Sequence, residues 1–412
     1  MAKEKKTVST KRTKGASAKT RLPASKQTTA SRVPILSRVA PELKGQIVNR
    51  HAGTDTASRW WPGLAWFGMT MLGILVASGS AIWLSSLQQS RYQVKAALPL
   101  TTPPTLTARA PLTGLPVTAE AAARRPWVVV VENFVTVRPQ SGLSAADIVF
   151  ESPTEGGITR LLTIYQSQLP TTVGPVRSAR SYFNDWARPF APLYSHSGGS
   201  DRALQQLRTG YGGITDVNEF ANGAAYERNT SLTPPHNLFT TPERFFSYAR
   251  EHEFELESLT PNLTFATTLP AAPSTNSITL PYLPQEYEVQ YLYQPTLGTY
   301  QRLVDGTTQL DATTNQVLAV KNVVVVFTDI DPIPGDPLLR VNLRTLGQGE
   351  ARLYTGGKVY QGTWRKTTLD SMLEFVDANG QTLPLQPGNT WIAILDSSQA
   401  ALVTTPTPTL AP

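Results

Sequence analysis

The sequence predicts an α/β or α+β N-terminal globular domain and a mostly-β C-terminal domain, preceded by one transmembrane helix and a disordered basic tail. Three observations lead there. From Trp60 to Ser90 no side chain is ionisable. Residues 111–259 alternate β-branched runs with helix-start signals. Residues 278–400 show few helical periods and many turn signals.

The tail, residues 1–59, holds 14 Lys or Arg against three acidic residues, a net of +11. The whole chain carries +7, so everything after the tail is mildly acidic, at −4. Charge placed this way argues against a folded nucleic-acid-binding domain and leaves anionic lipid or RNA as partners for the tail. Its Lys, Ser, Thr and Ala lack apolar periodicity and cannot offset the entropy of ordering. The chain has no cysteine, which removes disulfides, thiolate metal sites, a cysteine nucleophile and a lipidated cysteine anchor.

Residues 60–88 read as the transmembrane helix. Leu64 to Leu87 would rise about 36 Å as a helix, more than the roughly 30 Å of bilayer hydrocarbon. Trp60, Trp61 and Trp83 sit where interfacial aromatic belts form. The rival reading is a signal peptide cleaved after Ala77 or Ala81, but the basic region is too long and the apolar run too extended for one. The positive side stays in the cytoplasm, which places the remainder outside the cell membrane. Residues 89–110, with Pro99, Pro103 and Pro104, form a semi-extended linker.

In the first domain Val128–Val131 reads as a buried central strand, and Ile148–Phe150, Ile158–Tyr165 and Leu193–Ser195 as further strands. Helices are expected over Ser181–Arg188, from Ser200 as N-cap with Ala203, Leu204 and Leu207 on one face, and from Thr241-Pro242 to about His252. A Pro- and Thr-rich stretch, 260–277, reads as a linker. Beyond it strands are expected at Tyr287–Tyr293, Val323–Phe327, Ala351–Tyr354, Val359–Trp364, Leu373–Val376 and Trp391–Leu395. Gly356-Gly357 and Asn379-Gly380 mark tight turns, and 401–412 reads as a disordered end.

Polar residues concentrate between Glu155 and Asn237. Strand geometry puts Arg160 on the face of Ile158, Leu162 and Ile164, where it needs an anionic partner. Glu155 or Asp147 could supply that charge internally, or a ligand could. Gly174-Pro175 sets a loop offering Arg177, Ser178 and Arg180 just before a helix, a combination that favours phosphate or carboxylate. His196 precedes Gly198-Gly199, and His236-Asn237 follow a proline-stiffened turn. No Gly-x-Ser-x-Gly elbow frames Ser200, and neither histidine has the spacing of a metal-ligand motif with Asp201 or Glu227. No cofactor and no metal is expected, and the residues identify no catalytic group.

Pro-Leu-Thr-Gly-Leu-Pro at 111–116, the segment 138–151, Glu-Gly-Gly-Ile-Thr-Arg at 155–160, Gly-Pro-Val-Arg-Ser-Ala-Arg at 174–180 and Pro-His-Asn-Leu at 235–238 together resemble the YerB-like family. Gly-Thr-Trp at 362–364 and Pro-Gly-Asn-Thr-Trp at 387–391 are similar to that family's C-terminal domain. The resemblance implies a bacterial envelope protein with N- and C-terminal domains and no assigned activity, here anchored by a helix in place of a lipidated cysteine. In layout alone the chain is also similar to the LytR-CpsA-Psr family, whose external domain binds polyprenyl pyrophosphate through arginines.

The function these readings lead to is an envelope module binding an anionic ligand or partner through Arg160, Arg177, Ser178, Arg180, His196, His236 and Asn237. An enzyme acting on a lipid-linked pyrophosphate and a pocketless scaffold for wall-synthesis proteins are the alternatives. The arrangement of the arginines discriminates: convergence on a cleft with an exposed acid or base favours the enzyme, and internal pairing of each favours the scaffold.

Overall fold

Residues 105–405 are described by a computed structural model. The basic tail, the proposed transmembrane helix at 60–88, most of the linker after it and most of the C-terminal end lie outside the described residues. Among the described residues no helix is long and apolar enough to cross a membrane.

The first region contributes five strands to the main sheet, β1 (Trp127–Glu132), β2 (Ile148–Pro153), β3 (Thr159–Tyr165), β4 (Leu193–His196) and β5 (Thr215–Asn218), beside two small two-residue strand pairs, Ala108–Arg109 with Pro116–Val117 and Glu227–Arg228 with Leu238–Phe239. Its helices are α1 (Ala119–Ala123), α2 (Ser181–Ala187), α3 (Asp201–Arg208) and α4 (Pro242–Glu251). The caps expected from the sequence are in place: Ser200 accepts from the Ala203 amide, and Thr241 from that of Arg244. Further along come β6 (Ser277–Leu280), β7 (Val289–Gln294), β8 (Thr299–Val304), β9 (Thr307–Thr308), β10 (Ala319–Val320) and β11 (Asn322–Thr328). The last labelled strands are β12 (Gly347–Thr355), β13 (Lys358–Lys366), β14 (Glu374–Val376) and β15 (Thr390–Asp396).

The two regions that differ in sequence texture share one ten-stranded sheet, ordered β14-β13-β12-β11-β15-β2-β3-β1-β4-β5. The seam is the parallel pair β15–β2, with Trp391 opposite Val149 and Ala393 opposite Glu151. Strands β1, β4 and β5 are mutually parallel, and β3 runs antiparallel between β1 and β2. Segment 260–277, expected as a linker, is bonded into both regions: the Leu263 amide donates to Pro111 O and the Ala266 amide to Leu385 O.

Both faces of the sheet are covered, which is why β1 reads as an unbroken valine run. Val129 and Val131 point to a core closed by Phe245 and Tyr248 of α4 and by Ile278, Val289 and Tyr291 of a second sheet. That sheet runs β6-β7-β8-β9, with β10 also paired to β8. Val128 and Val130 point the other way, to Tyr182, Phe183 and Trp186 of α2 and Leu207 of α3. Each such valine, fully removed from water, contributes about 1.5–3 kcal/mol.

One face assignment needs correcting. Leu162 and Ile164 lie in the α2–α3 core on the side of Arg160, but Ile158 precedes β3 and packs into the opposite core. Period-two reasoning holds only within the strand.

Candidate functional site

The carboxyl ends of parallel strands are where ligands bind in open α/β sheets. Here β1 ends in Glu132 and β4 in His196, followed by the loop into α3. Backbone bonds thread residues 176–180 between them: the Arg177 amide donates to Val130 O (2.8 Å), and the Ser197 amide to Arg177 O (3.0 Å). Arg177, Ser178 and Arg180 are thereby fixed at the sheet's rim.

Two carboxylates organise the guanidiniums. Glu155 receives Arg160 Nη2 at 3.2 Å and also pairs with Arg180. Buried Glu132 lies 3.0 Å from Arg177 Nε and accepts from His236 Nδ1 at 2.9 Å. Remaining donors of Arg160 and Arg180 are partly spent on Ser178 O and Ala179 O. No oxygen among the described residues accepts from the terminal nitrogens of Arg177. His236 stacks on Phe134, ring centroids 5.5 Å apart.

These groups line a cleft of about 480 Å³, and Leu338 and Arg340 of the hairpin Ile330–Pro332/Val341–Leu343 form another of its walls. Three guanidiniums thus face two carboxylates, while Arg340 is neutralised by Asp336 at 2.6 Å. Burial pulls Arg160, Arg177 and Arg180 down from their ordinary pKa, and Glu132 pushes Arg177 back up. All three stay cationic at neutral pH, because guanidinium is too basic to lose its proton in a protein.

Of the residues expected in a site, the structure brings Arg160, Arg177, Ser178, Arg180, His236 and Glu155 to the cleft. Ser178 Oγ is already bonded to Ser197 O at 2.9 Å. His196 is fully buried beneath the loop, with Nδ1 2.7 Å from Gly198 O and Nε2 2.7 Å from Asp216 Oδ1. Its place is one of shaping Gly198-Gly199. Asn237 is buried too, its Oδ1 accepting from Arg228.

Asp147 is not a partner of Arg160. It sits at the far end of β3, where it accepts from the amides of Gln166 and Ser167 at 2.6 and 2.8 Å, and burial raises its pKa to about 6. Of the two candidate carboxylates, Glu155 alone pairs with Arg160.

Sequence reasoning missed Glu132, Phe134 and Arg340. A charge closing a fully buried valine run was the available signal for Glu132, since such a carboxylate needs cations around it. Also missed was a groove of about 980 Å³ on the other side of His236, with Thr136, Ser141, Thr230, Ser231 and Thr233 among its lining. No group of three or more His, Cys, Asp or Glu suited to a metal occurs among the described residues.

Beneath the cleft lies a second polar network. Asn133 donates to Thr159 Oγ1, which donates to Glu151 at 3.0 Å. Glu151 receives Arg302 Nη2 at 2.9 and 2.7 Å and Trp391 Nε1 at 3.0 Å. Neither Glu151 nor Arg302 touches solvent.

The family described as "Protein of unknown function (DUF3048) N-terminal domain" matches residues 112–255, and its "C-terminal domain" counterpart matches 278–392. Over 299 residues the chain is 36% identical to "Putative lipoprotein YerB" of Bacillus subtilis (strain 168), covering 72% of this chain and 88% of that protein. The crystal structure of the YerB protein from Bacillus subtilis superposes with a TM-score of 0.66 at 33% identity, covering 73% of this chain and all of that one.

Proposed function

The chain belongs to the DUF3048 family, and from that premise we propose that it is a membrane-anchored, extracytoplasmic envelope protein whose arginine cleft binds an anionic ligand. The relative's name as a lipoprotein supports the envelope location. The charge-free run at 60–88, with its cationic flank inside the cell, supplies the anchor. Each guanidinium has an internal carboxylate, which by itself favours the pocketless scaffold, but one observation carries the ligand class: three guanidiniums share only two carboxylates, and among the described residues no oxygen accepts from the terminal nitrogens of Arg177. Such a fork matches phosphate or carboxylate oxygens.

The test is thermal unfolding of the full chain in detergent with sodium pyrophosphate. Saturating ligand raises the midpoint by a few °C, as a ligand bound only by the folded state must. Arg177→Ala abolishes the rise. An unchanged midpoint in the wild-type chain sinks the reading.

An enzyme is the second reading, favoured by His236, half-buried with Nδ1 held by Glu132. A ring oriented by a carboxylate is the arrangement of a general base. Phosphate release from a diphosphate ester, lost in His236→Ala while binding persists, would move the assignment from binding to catalysis.

A further inference from the structure

The reading of the cleft as an anion site leaves one neighbouring feature unused. Three exposed leucines surround the Gly156-Gly157 turn that follows Glu155. Leu283, Leu338 and Leu339 expose 66%, 59% and 66% of their surface. The Gly156 amide donates to Leu339 O at 3.1 Å, and the Leu283 carbonyl packs so tightly on Gly157 that a Cβ there would lie 2.2 Å from its oxygen. Leu338 itself lines the arginine cleft.

The leucine turn is built rather than loose. Asp336 accepts from the Leu338 amide at 2.8 Å and from Arg340 Nε at 2.6 Å, and its carbonyl accepts from the Leu339 amide at 3.1 Å. Leu339 sits at φ 52°, a left-handed conformation in which a branched side chain is strained. Glycine or asparagine would be cheaper there, so holding a leucine outward needs a reason. Exposed leucines grouped at the turn after Glu155, one of them in the wall of a cationic cleft, combine the two chemistries that a phospholipid surface presents, apolar chains below and phosphate above.

Resting on that reading of the cleft, we propose that this face of the protein docks on the membrane: Leu283, Leu338 and Leu339 enter the outer leaflet while Arg177 and its neighbours hold the phosphate of an anionic lipid. Charge favours this occupant, because the guanidiniums outnumber the carboxylates. Reach permits it. Residues 89–104 lie between the proposed anchor and the described residues, and an extended chain of that length spans roughly 50 Å.

The absence of cysteine makes the test direct. Full-length Leu339→Cys, carrying an environment-sensitive fluorophore, is placed in nanodiscs of phosphatidylcholine alone or with phosphatidylglycerol. The emission shifts to the blue with phosphatidylglycerol only, and Arg177→Gln, checked by its melting curve to be folded, removes most of the shift. Leu283→Ser with Leu338→Ser, both at exposed positions, weakens it as well. A label that stays in water in both lipids overturns the docking, and so does a blue shift that ignores both lipid charge and Arg177. Pyrophosphate added to the same protein without lipid is read separately by melting. A midpoint rise there with no blue shift leaves the anion site standing and removes the membrane face, whereas failure of both removes the site itself.

Discussion

Glu151 and Arg302 form an ion pair with no contact to water, each drawn from a different half of the sequence. Trp391 Nε1, Thr159 Oγ1 and Gln309 add further bonds, Arg302 Nε is left without an acceptor, and the guanidinium lies 4.5 Å from the Trp391 ring centroid. Removing one charge strands the other, so Glu151→Gln is expected to cost about 3–5 kcal/mol in urea unfolding. A double change, Glu151→Met with Arg302→Met, should cost less than either single one. An unaltered midpoint in Glu151→Gln would show that the pair is not buried as described. Lys366 provides a pH signature. Its side chain is buried against Leu369 O and Ser371 O, and desolvation lowers its pKa to about 8. Between about 8 and the ordinary lysine value the unfolded chain holds the extra proton, so stability rises with pH across that window, by up to roughly 3 kcal/mol. Lys366→Met should flatten this segment of the stability–pH curve, and a wild-type curve already flat there would refute it. Single residues were legible from sequence where a strong rule applied. Arg160 on an apolar face demanded an anion, and Glu155 supplies it. Glu132 escaped notice because its partners, Arg177 and His236, lie 45 and 104 positions away, a separation no local pattern encodes.

Elements were read best where period, caps and turns agreed. The valine runs in β1 and β11, the capped helices α3 and α4, and the β12–β13 hairpin all fall where the sequence places them. Most of the second sheet was not legible. β6 hides at the end of a Pro- and Thr-rich stretch, and β8 carries fully buried Arg302 among its inward residues, which breaks the apolar alternation. Its charge becomes intelligible only once Glu151 is seen opposite. At the hairpin, Gly356 and Gly357 have φ of 56° and 71°, the handedness a two-residue turn requires. A Cβ on Gly357 would lie 2.6 Å from the Tyr293 ring, whereas one on Gly380, at φ 78°, meets nothing within 4 Å. Gly380→Ala should therefore cost only the backbone strain, about 1 kcal/mol, and Gly357→Ala distinctly more. Equal urea midpoints for the two variants would show that the Tyr293 contact yields freely.

At the scale of the whole molecule, texture and architecture part company. Composition separates 111–259 from 278–400, and the two family matches follow the same division. Hydrogen bonding does not respect it, since β15 inserts beside β2 and completes a sheet whose strands on both sides are buried. Pulling the halves apart would expose the Ile148–Pro153 edge, which carries Glu151, and leave Arg302 without its carboxylate. Both costs fall on the same event, so neither half has a low-energy state without the other. The described residues should consequently unfold as one cooperative unit. Calorimetry of the full chain is expected to show a single globular transition whose van't Hoff and calorimetric enthalpies agree, and Glu151→Gln should lower that transition without splitting it. Fragments 105–262 and 263–405, produced separately, should be insoluble or unstructured, and mixing them should restore the native near-ultraviolet spectrum. Two resolved transitions, or a soluble 105–262 fragment with native tertiary signals, would mean that the seam is an interface between independent domains, and the arginine cleft, walled by the 330–343 hairpin, would then open and close with it.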